Sequence, residues 1–366
     1  MDVLPARAGR STLATIAASA GVSVATVSKV LNGRSDVAPA TRALVQGLLQ
    51  QHNYVAPSAR RAEPAIPPTL EVTFDGALGP YSTEVLQGVL EGADEAGIPL
   101  VVSIRTGGLS GTGTGTGSDS PGAWARELVQ AGRRALIAVT GELTSSHLSA
   151  LARARLPLVV IDPMNLPRAR VTSVGSTNFA GGLAATEHLL SLGHRRIAYA
   201  GGRASAACNQ ARLHGYLAAM EAHGAEVLPG YVQYGHFVYP DGIQIGATLF
   251  DLPEPPTAVF AGSDQTALGV IEAARARGLR LPEELSVVGF DDTHLARMTS
   301  PPLTTVRQPL REMGRVAVRT ALRLADGQEI DSHHVELATE LVVRGSTAEP
   351  PSLRPPAQKR WPAQKG

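Results

Sequence analysis

Two aspartates follow short apolar segments of the chain. Asp162 ends the segment LPLVVID (156–162), and Asp264 comes two residues after TAVFAG (257–262). Such segments predict buried strands, and open α/β sheets bind ligands beyond the carboxyl ends of their strands. A carboxylate can accept hydrogen bonds from two sugar hydroxyls in a fixed geometry. Asp162 and Asp264 are therefore predicted ligand contacts, with a helix cap as the alternative role for each.

Three further side chains suit the same kind of ligand. Arg212, in the segment NQARLHGY, carries a guanidinium that can donate in a fork to ring and hydroxyl oxygens. Phe237 and Tyr81 offer rings that could stack on the apolar C–H face of a sugar. The alternatives are a surface ion pair for Arg212 and core packing for Phe237.

The residues that could perform catalysis lack the arrangement that it requires. Asp291 and Asp292 are adjacent, but neighbouring residues of an extended strand point to opposite faces, so loop or capping roles are expected. The sequence has no G-x-S-x-G, H-E-x-x-H or P-loop motif. The alternating glycines of segment 106–122 lack phosphate-loop spacing and predict a flexible surface loop. We therefore expect no enzyme, no cofactor and no metal site, although a weak metal site at His333 and His334 stays open.

The elements that position these residues alternate regularly. The apolar segments predict strands over 70–74, 99–104, 135–139, 156–162, 196–201, 257–262 and 285–290, with helical patterns such as 83–97 and 180–194 between them. Repeated β-α-β units give parallel sheets, and more than six such strands predict two doubly wound α/β lobes with a cleft between them.

The first fifty residues have a different pattern. Thr12 and Ser23 can each N-cap a short helix, and Gly21 permits a tight turn between the two helices. Asn32-Gly33 ends the second helix, and a third helix begins at Pro39, with Leu44, Val45, Leu48 and Leu49 expected inside. This arrangement predicts an all-α helix-turn-helix head.

The second helix of the head would expose short polar and methyl-bearing side chains. Such side chains can enter the major groove of DNA, hydrogen-bond base edges or touch a thymine methyl. Lys29 could reach a guanine edge or a phosphate, and the sequence does not choose between them. A small packing helix with a solvated face is the alternative.

The distribution of charge also separates the head, up to about Arg61, from the rest of the chain. Up to Arg61 there are seven Lys or Arg against two acids, a net charge of +5, and the remainder has 26 against 30, a net charge of −4. A basic head on a slightly acidic body is typical of a nucleic-acid-binding module joined to another domain. Cys208 is the only cysteine, and neither a membrane span nor a secretory signal is evident, which predicts a cytoplasmic protein.

These segments resemble one known family. LATIAASAGVSVATVSKVLNG (13–33) and NYV (53–55) are similar to the head of the lactose-repressor (LacI/GalR) family. Segments 172–202 and 256–314 resemble its sensor domain, and the resemblance extends to about Thr347. It implies a helix-turn-helix domain (1–56) and a two-lobed periplasmic-binding-protein-like domain (69–347). Composition predicts a linker or hinge rich in Pro, Ala and Arg (57–68) between them and a Pro-rich, basic, disordered tail (348–366) after them.

The resemblance also assigns roles to residues. Val24, Ala25 and Lys29 match positions that read bases, and a further group matches positions that mainly hold phosphates: Thr12, Ser23, Thr26, Ser28, Asn32 and Tyr54. Arg212 and Asp264 match ligand contacts, with less certain matches for Asp162, Phe237 and Tyr81. The linker departs from the family, because Glu63 stands where a minor-groove leucine is expected. Arg60 and Arg61 could still follow the groove or phosphates, or lie in a solvated linker.

The expected function is therefore a DNA-binding transcriptional regulator, in particular a repressor, that responds to a sugar. One helix-turn-helix reads few base pairs, so a homodimer on a pseudo-palindromic operator is expected. The alternatives are a sugar-binding receptor without DNA function and an enzyme on the same two-lobed fold. The receptor would need export, and the enzyme would need a catalytic pair that the sequence lacks.

Overall fold

The computed structural model describes residues 13–31, 34, 36–51, 67–105, 120–141, 143–164 and 171–351. It divides into two compact units, residues 1–67 and 68–366, which we call the head and the body. Most of the predicted linker lies outside the described residues, as do most of the glycine-rich loop and the tail from 352 onward.

The head contains three helices in its described part: α1 (Leu13–Ala20), α2 (Val24–Leu31) and α3 (Pro39–Gln51). Gly21 joins α1 to α2 with a φ of +65°, a left-handed conformation that glycine adopts without strain. The Ser23 hydroxyl accepts a hydrogen bond from the Thr26 backbone N–H at 3.1 Å, which confirms the predicted N-cap of α2. Ile16, Val27 and Val45 are fully buried and hold the three helices together.

Leu44 was predicted to lie inside the head, and that prediction is wrong. Its side chain is 52% exposed, whereas Leu48 and Leu49 are half-buried and pack against the core. The inward stripe of α3 runs from Val45 through Leu48 and Leu49, at the i, i+3 and i+4 spacing of one helix face. Leu44 lies about 100° around the helix from Val45, at the edge of this stripe beyond Leu48, where the core no longer covers its side chain.

No single helix among the described residues is long and apolar enough to cross a membrane. Helices α1 and α2 reach the necessary length and composition only when they are taken together, and they are bent by 105° relative to one another.

Lobe 1 of the body is a parallel sheet covered by helices. In the described residues its strand order is β11-β5-β4-β3-β1-β2. The strands are β1 (Thr69–Asp75), β2 (Leu100–Arg105), β3 (Arg133–Val139), β4 (Leu158–Ile161), β5 (Thr172–Ser176) and β11 (His334–Leu337). Its helices are α4 (Pro80–Glu95), α5 (Pro121–Gln130), α6 (Ser145–Arg153) and α12 (Leu310–Ala325).

Lobe 2 repeats this architecture with a second sheet. Its order in the described residues is β12-β10-β9-β8-β6-β7, parallel except for β12. The strands are β6 (Ile197–Ala200), β7 (Val232–Gln233), β8 (Ala258–Ala261), β9 (Ser286–Asp291), β10 (Thr304–Arg307) and β12 (Glu340–Val342). The helices are α7 (Asn178–Ser191), α8 (Ala207–Ala222), α9 (Tyr239–Phe250), α10 (Asp264–Ala276) and α11 (His294–Met298). The two doubly wound lobes predicted from the sequence are confirmed.

The chain passes between the lobes three times in the described residues. These crossing segments lie between β5 and α7, between β10 and α12, and between β11 and β12. Thr177 and Thr339 join the first crossing segment to the last, since the Thr339 backbone N–H donates to the Thr177 hydroxyl at 3.0 Å. After β12 the chain stays in lobe 2, where the Ala348 carbonyl accepts from the Ser286 hydroxyl at 3.1 Å. Ala348, predicted as the first tail residue, is thus held by the body.

Three helix pairs of the body pack with their backbones in contact. Each pair places a glycine of one helix against the backbone of the other, so that an added Cβ would lie 1.9–2.6 Å from a partner backbone atom. The pairs are Gly88 with Gly314 for α4 and α12, Gly182 with Gly215 for α7 and α8, and Gly242 with Gly269 for α9 and α10. Real Cβ atoms do not approach so closely, so these positions require glycine.

We predict that Gly182→Ala destabilises the body by about 1–3 kcal/mol, the usual cost of overpacking. The new Cβ would lie 2.3 Å from the Arg212 carbonyl oxygen and would force α7 and α8 apart. The measurement is the free energy of unfolding from urea denaturation. Gly122→Ala in α5 is the control, because its Cβ would meet only the end of Arg126 at an ordinary 3.7 Å. Equal effects of the two substitutions would contradict the prediction.

Candidate functional site

A cleft of about 940 Å³ opens between the two lobes of the body. The carboxyl ends of strands β1, β4 and β9 reach it at Asp75, Asp162 and Asp291. Helix α8 of lobe 2 contributes Arg212 to its wall. This is the strand-end position where doubly wound folds bind their ligands.

Arg212 is held tightly at the lobe 2 side of the cleft. The side chain is only 4% exposed. Its Nε donates to Asn178 Oδ1 at 2.8 Å, and its Nη1 donates to the Gly262 carbonyl at 2.5 Å. The guanidinium carbon lies 3.8 Å from the centre of the Phe290 ring and 5.3 Å from that of Phe237. The guanidinium is therefore fixed in one orientation before any ligand arrives.

Tyr81 and Asp162, predicted as two separate contacts, form a pair on the lobe 1 side. The Tyr81 hydroxyl donates to Asp162 Oδ2 at 2.5 Å. Burial raises the pKa of the Asp162 carboxyl and, even more strongly, that of the Tyr81 phenol. Because the phenol proton already serves Asp162, Tyr81 orients this carboxylate, and Tyr81 itself lines the cleft.

Phe237 lines the cleft, as predicted. Its ring lies on the backbone of two glycines, since a Cβ on Gly202 or Gly262 would stand within 2.7 Å of ring carbons. One part of the ring is thus supported by the protein backbone at the wall of the cleft.

The structure does not bring Asp264 to the cleft. The side chain is fully buried, and its neighbours Ser263 and Gln265 line the cleft instead. Asp264 Oδ2 accepts from the backbone N–H and the hydroxyl of Thr293, and Oδ1 accepts from the Thr305 hydroxyl. Burial raises the pKa of this carboxyl to about 6. Asp264 therefore ties α10 to the segments after β9 and in β10, beneath the cleft wall.

Asp291 takes the place in the cleft that the sequence analysis gave to Asp264. It lines the cavity, while the adjacent Asp292 turns away and accepts hydrogen bonds from Arg307 and Arg344. The expected divergence of the two neighbours is thus found, but the cleft-facing member was missed. Its signal in the sequence was its place at the end of strand 285–290, the same kind of place as that of Asp162.

Backbone strain concentrates around the cleft. Among the described non-glycine residues, six have positive φ angles, and four of these line the cavity: Thr140 (51°), Asp162 (46°), Phe237 (63°) and Asp291 (113°). Such conformations cost energy and persist where the surrounding structure enforces them, as it does at functional sites. The strain is an independent indication that the cleft is the functional part of the body.

The predicted DNA-binding residues that the structure describes lie on or beside α2. Val24 is 45% exposed, Ala25 and Lys29 are exposed, and Thr26 and Ser28 are half-buried. Lys29 Nζ forms an ion pair with Asp36 Oδ2 at 2.7 Å, and this pair lowers the pKa of Asp36. The remaining predicted contacts lie outside the described residues: Thr12, Asn32, Tyr54, Arg60 and Arg61.

Comparisons with known proteins agree with both units. Residues 12–57 match the family model of bacterial regulatory proteins of the lacI family, and residues 186–347 match that of the periplasmic binding protein-like domain. The HTH-type transcriptional regulator DegA of Bacillus subtilis is 32% identical over 344 residues, which cover 93% of this chain and 98% of DegA. The HTH-type transcriptional repressor CytR of Escherichia coli is 30% identical over 92% of this chain and 96% of its own length. HTH-type transcriptional regulator CelR of Thermobifida fusca is 32% identical over 93% of this chain and 99% of CelR.

Solved structures give the same result. The transcriptional regulator CelR in complex with cellobiose superposes with a TM-score of 0.67 at 30% identity, covering 92% of this chain and 100% of that one. The lac repressor dimer bound to operator and the anti-inducer ONPF gives a TM-score of 0.66 at 26% identity, with coverage of 93% and 100%. These relatives regulate transcription and are not enzymes. The chain therefore belongs to the LacI family of bacterial regulatory proteins, and it is a DNA-binding transcriptional regulator with a two-lobed, periplasmic-binding-protein-like body.

Proposed function

We propose that this regulator is a repressor whose affinity for its operator changes when a small sugar binds in the cleft. The observation that carries the proposal is the Arg212 guanidinium, fixed by Asn178 and Gly262 in the wall of a cavity that also receives Asp162 and Asp291. The fixed donors and acceptors can bind the hydroxyl groups of a sugar, and the Phe237 ring beside them can contact its C–H groups.

The size of the cleft and one relative support the same ligand class. A cavity of about 940 Å³ lies within the range of small-molecule sites and has room for a mono- or oligosaccharide. The CelR chain whose structure was solved in complex with cellobiose is 30% identical in sequence to this chain. The cleft is lined by three carboxylates, from Asp75, Asp162 and Asp291, against two arginines and one histidine, so it offers a phosphosugar no surplus of cations.

On the DNA side, the proposal assigns base reading to Val24, Ala25 and Lys29 on α2 and phosphate contacts to Ser23, Thr26 and Ser28 beside them. Val24 and Ala25 expose small apolar side chains on α2, which can touch a thymine methyl in the major groove, and Lys29 exposes a donor for a guanine edge or a phosphate. A homodimer would place two heads on a pseudo-palindromic operator. Membership of a family of regulators argues against the alternative of a sugar receptor without DNA function.

A thermal-shift screen of mono- and oligosaccharides, cellobiose included, tests the ligand. A sugar at one hundred times its Kd stabilises the folded protein by about 2.7 kcal/mol, a clear rise in Tm. We predict that Arg212→Ala abolishes this rise while the ligand-free variant still binds operator DNA. Arg277→Ala is the matched control, because Arg277 pairs with Asp251 at the surface of lobe 2. An undiminished rise in Arg212→Ala would show that the ligand binds elsewhere.

For DNA, we predict that Lys29→Ala weakens binding to a duplex from the gene's own upstream region by about tenfold, the loss expected for one good contact. Fluorescence anisotropy at several salt concentrations distinguishes the two roles of Lys29. A phosphate contact lowers affinity for all sequences and reduces the salt slope by about one, whereas a base contact lowers the preference for the operator. Arg277→Ala should leave both properties unchanged. If the unaltered protein shows no preference for its own upstream palindromes, the operator proposal is wrong.

The buried charge of Asp291 should reduce the stability of the ligand-free protein. Burial raises the pKa of this carboxyl well above its usual value, although Arg212 and the Gln308 amide act in the opposite direction. Between the unfolded and the folded pKa, the unfolded chain releases its proton more readily, so rising pH favours unfolding.

We therefore predict that Asp291→Asn raises the free energy of unfolding at pH 7.5 and has a smaller effect near pH 4, because the unfolded chain is then about half protonated and the difference in bound protons between the two states is smaller. Urea denaturation across this pH range is the measurement. Asp251→Asn at the surface serves as the control, because its carboxylate is largely solvated and should show no such gain. A pH-independent effect of Asp291→Asn would contradict the prediction.

A further inference from the structure

Ser176 is the last residue of β5 and lies where the chain leaves lobe 1 for the first time. It is almost completely buried, as is Gln308 in the crossing segment between β10 and α12. The Ser176 hydroxyl donates to Gln308 Oε1 at 2.5 Å, and Gln308 Nε2 donates to Asp291 Oδ1 at 2.7 Å. An ionised carboxylate can only accept, so Asp291 fixes which end of the amide faces it, and Ser176 satisfies the other end.

A second buried amide connects Ser176 to the other charge of lobe 2. Asn178 Nδ2 donates to the Ser176 carbonyl at 3.0 Å, and Asn178 Oδ1 accepts from Arg212 Nε at 2.8 Å. The guanidinium can only donate, so the orientation of this amide is fixed as well. Ser176 thus lies one amide away from Arg212 and one amide away from Asp291.

These five residues form one buried polar circuit across the lobe boundary, in which the Gln308 branch starts at the Ser176 hydroxyl and the Asn178 branch starts at the Ser176 backbone carbonyl. Ser176 belongs to the sheet of lobe 1, whereas Arg212 and Asp291 belong to α8 and β9 of lobe 2. Hydrogen bonds are strong in such a poorly solvated place, and an unmatched partner is costly. A change in the angle between the lobes must therefore lengthen bonds at Ser176 or turn the two amides.

We propose that Ser176 is a positioning residue: its hydroxyl orients the Gln308 amide and through it Asp291, while its backbone carbonyl holds the Asn178 amide, so that Asp291 and Arg212 face the cleft. Ligand contact by these two residues belongs to the proposed function, on which the meaning of the circuit rests. The circuit itself can be tested on the ligand-free protein, so its failure and that of the sugar or DNA assignment are distinguishable.

If Ser176 only filled space and satisfied Gln308, its removal would cost the same free energy of folding whether or not Asp291 carried a charge. A positioning role predicts that this cost depends on the charge of Asp291. Ser176 does not touch Asp291, so energetic coupling between them must pass through Gln308. The coupling should depend on the ionisation of Asp291, since hydrogen bonds to a charged acceptor are about twice as strong as neutral ones. The other charged groups that act on Asp291 are Arg212 from α8, Asp264 from α10 and Asp162 after β4.

The experiment is a double-mutant cycle of Ser176→Ala and Asp291→Asn in the full-length protein, by urea denaturation at pH 7.5 and near pH 4. We expect Ser176→Ala to lower the equilibrium constant for folding at least about threefold more with Asp291 present than with asparagine, at pH 7.5. Near pH 4 the difference should disappear, because a protonated Asp291 no longer requires an oriented donor.

Ser173→Ala is the matched control, since it removes another buried hydroxyl from the same strand, one that contacts His334 Nδ1 at 3.0 Å instead. Its effect should add to that of Asp291→Asn at both pH values. If Ser176→Ala does not fold, Gln308→Met takes its place in the cycle and should show the same pH-dependent coupling. Additive effects at pH 7.5, or coupling that persists unchanged near pH 4, overturn the proposal.

Discussion

A guanidinium that leaves water must find acceptors for its donors, and the cleft of this protein is built around that requirement at Arg212. The acceptors come from Asn178 at the start of α7 and from the carbonyl of Gly262 after β8, while Phe290 of β9 covers one face. These groups meet only because α7 and α8 pack with their backbones in contact at Gly182 and Gly215. The tight packing of α7 and α8 and the polarity of the cleft therefore depend on one another, because Asn178 and Arg212 each lie about one helical turn from the packing glycine of their own helix.

The carboxylates of the cleft are less well compensated for their burial than the Arg212 guanidinium. Burial raises the pKa values of both Asp162 and Asp291. Each accepts one hydrogen bond that fixes its orientation, from Tyr81 on one side and from Gln308 on the other. The remaining cost of holding the charge falls on the folded state, together with the strained backbone at both residues. A ligand whose hydroxyl groups donate hydrogen bonds to Asp162 and Asp291 would reduce this cost, and the reduction would add to the free energy of binding.

The fold could be predicted from the sequence because short apolar segments that alternate with helical patterns leave few possible architectures. All seven predicted strands of the body are present, and the strands that were missed are short or mixed in character, such as the serine-containing β5 and the exposed β11. The site was predicted less well. Asp264 and Asp291 both follow apolar strands, and the choice between them depends on Thr293 and Thr305, which capture Asp264 from another part of the chain. Leu44 differs from Val45 by one helix step, a difference that periodicity in a short helix does not resolve.

The head depends on similar physics at a smaller scale. Its core consists of a few small apolar side chains, and the face of α2 contributes nothing to that core at Val24 and Ala25. Exposed apolar residues at the start of a helix gain nothing for the head alone, whereas they can contact thymine methyls in a major groove. Lys29 is held by Asp36 in an exposed ion pair, a kind of interaction that contributes little stability in water. The pair keeps the lysine beside the face of α2, and a phosphate or a guanine edge can take the place of Asp36 at little cost.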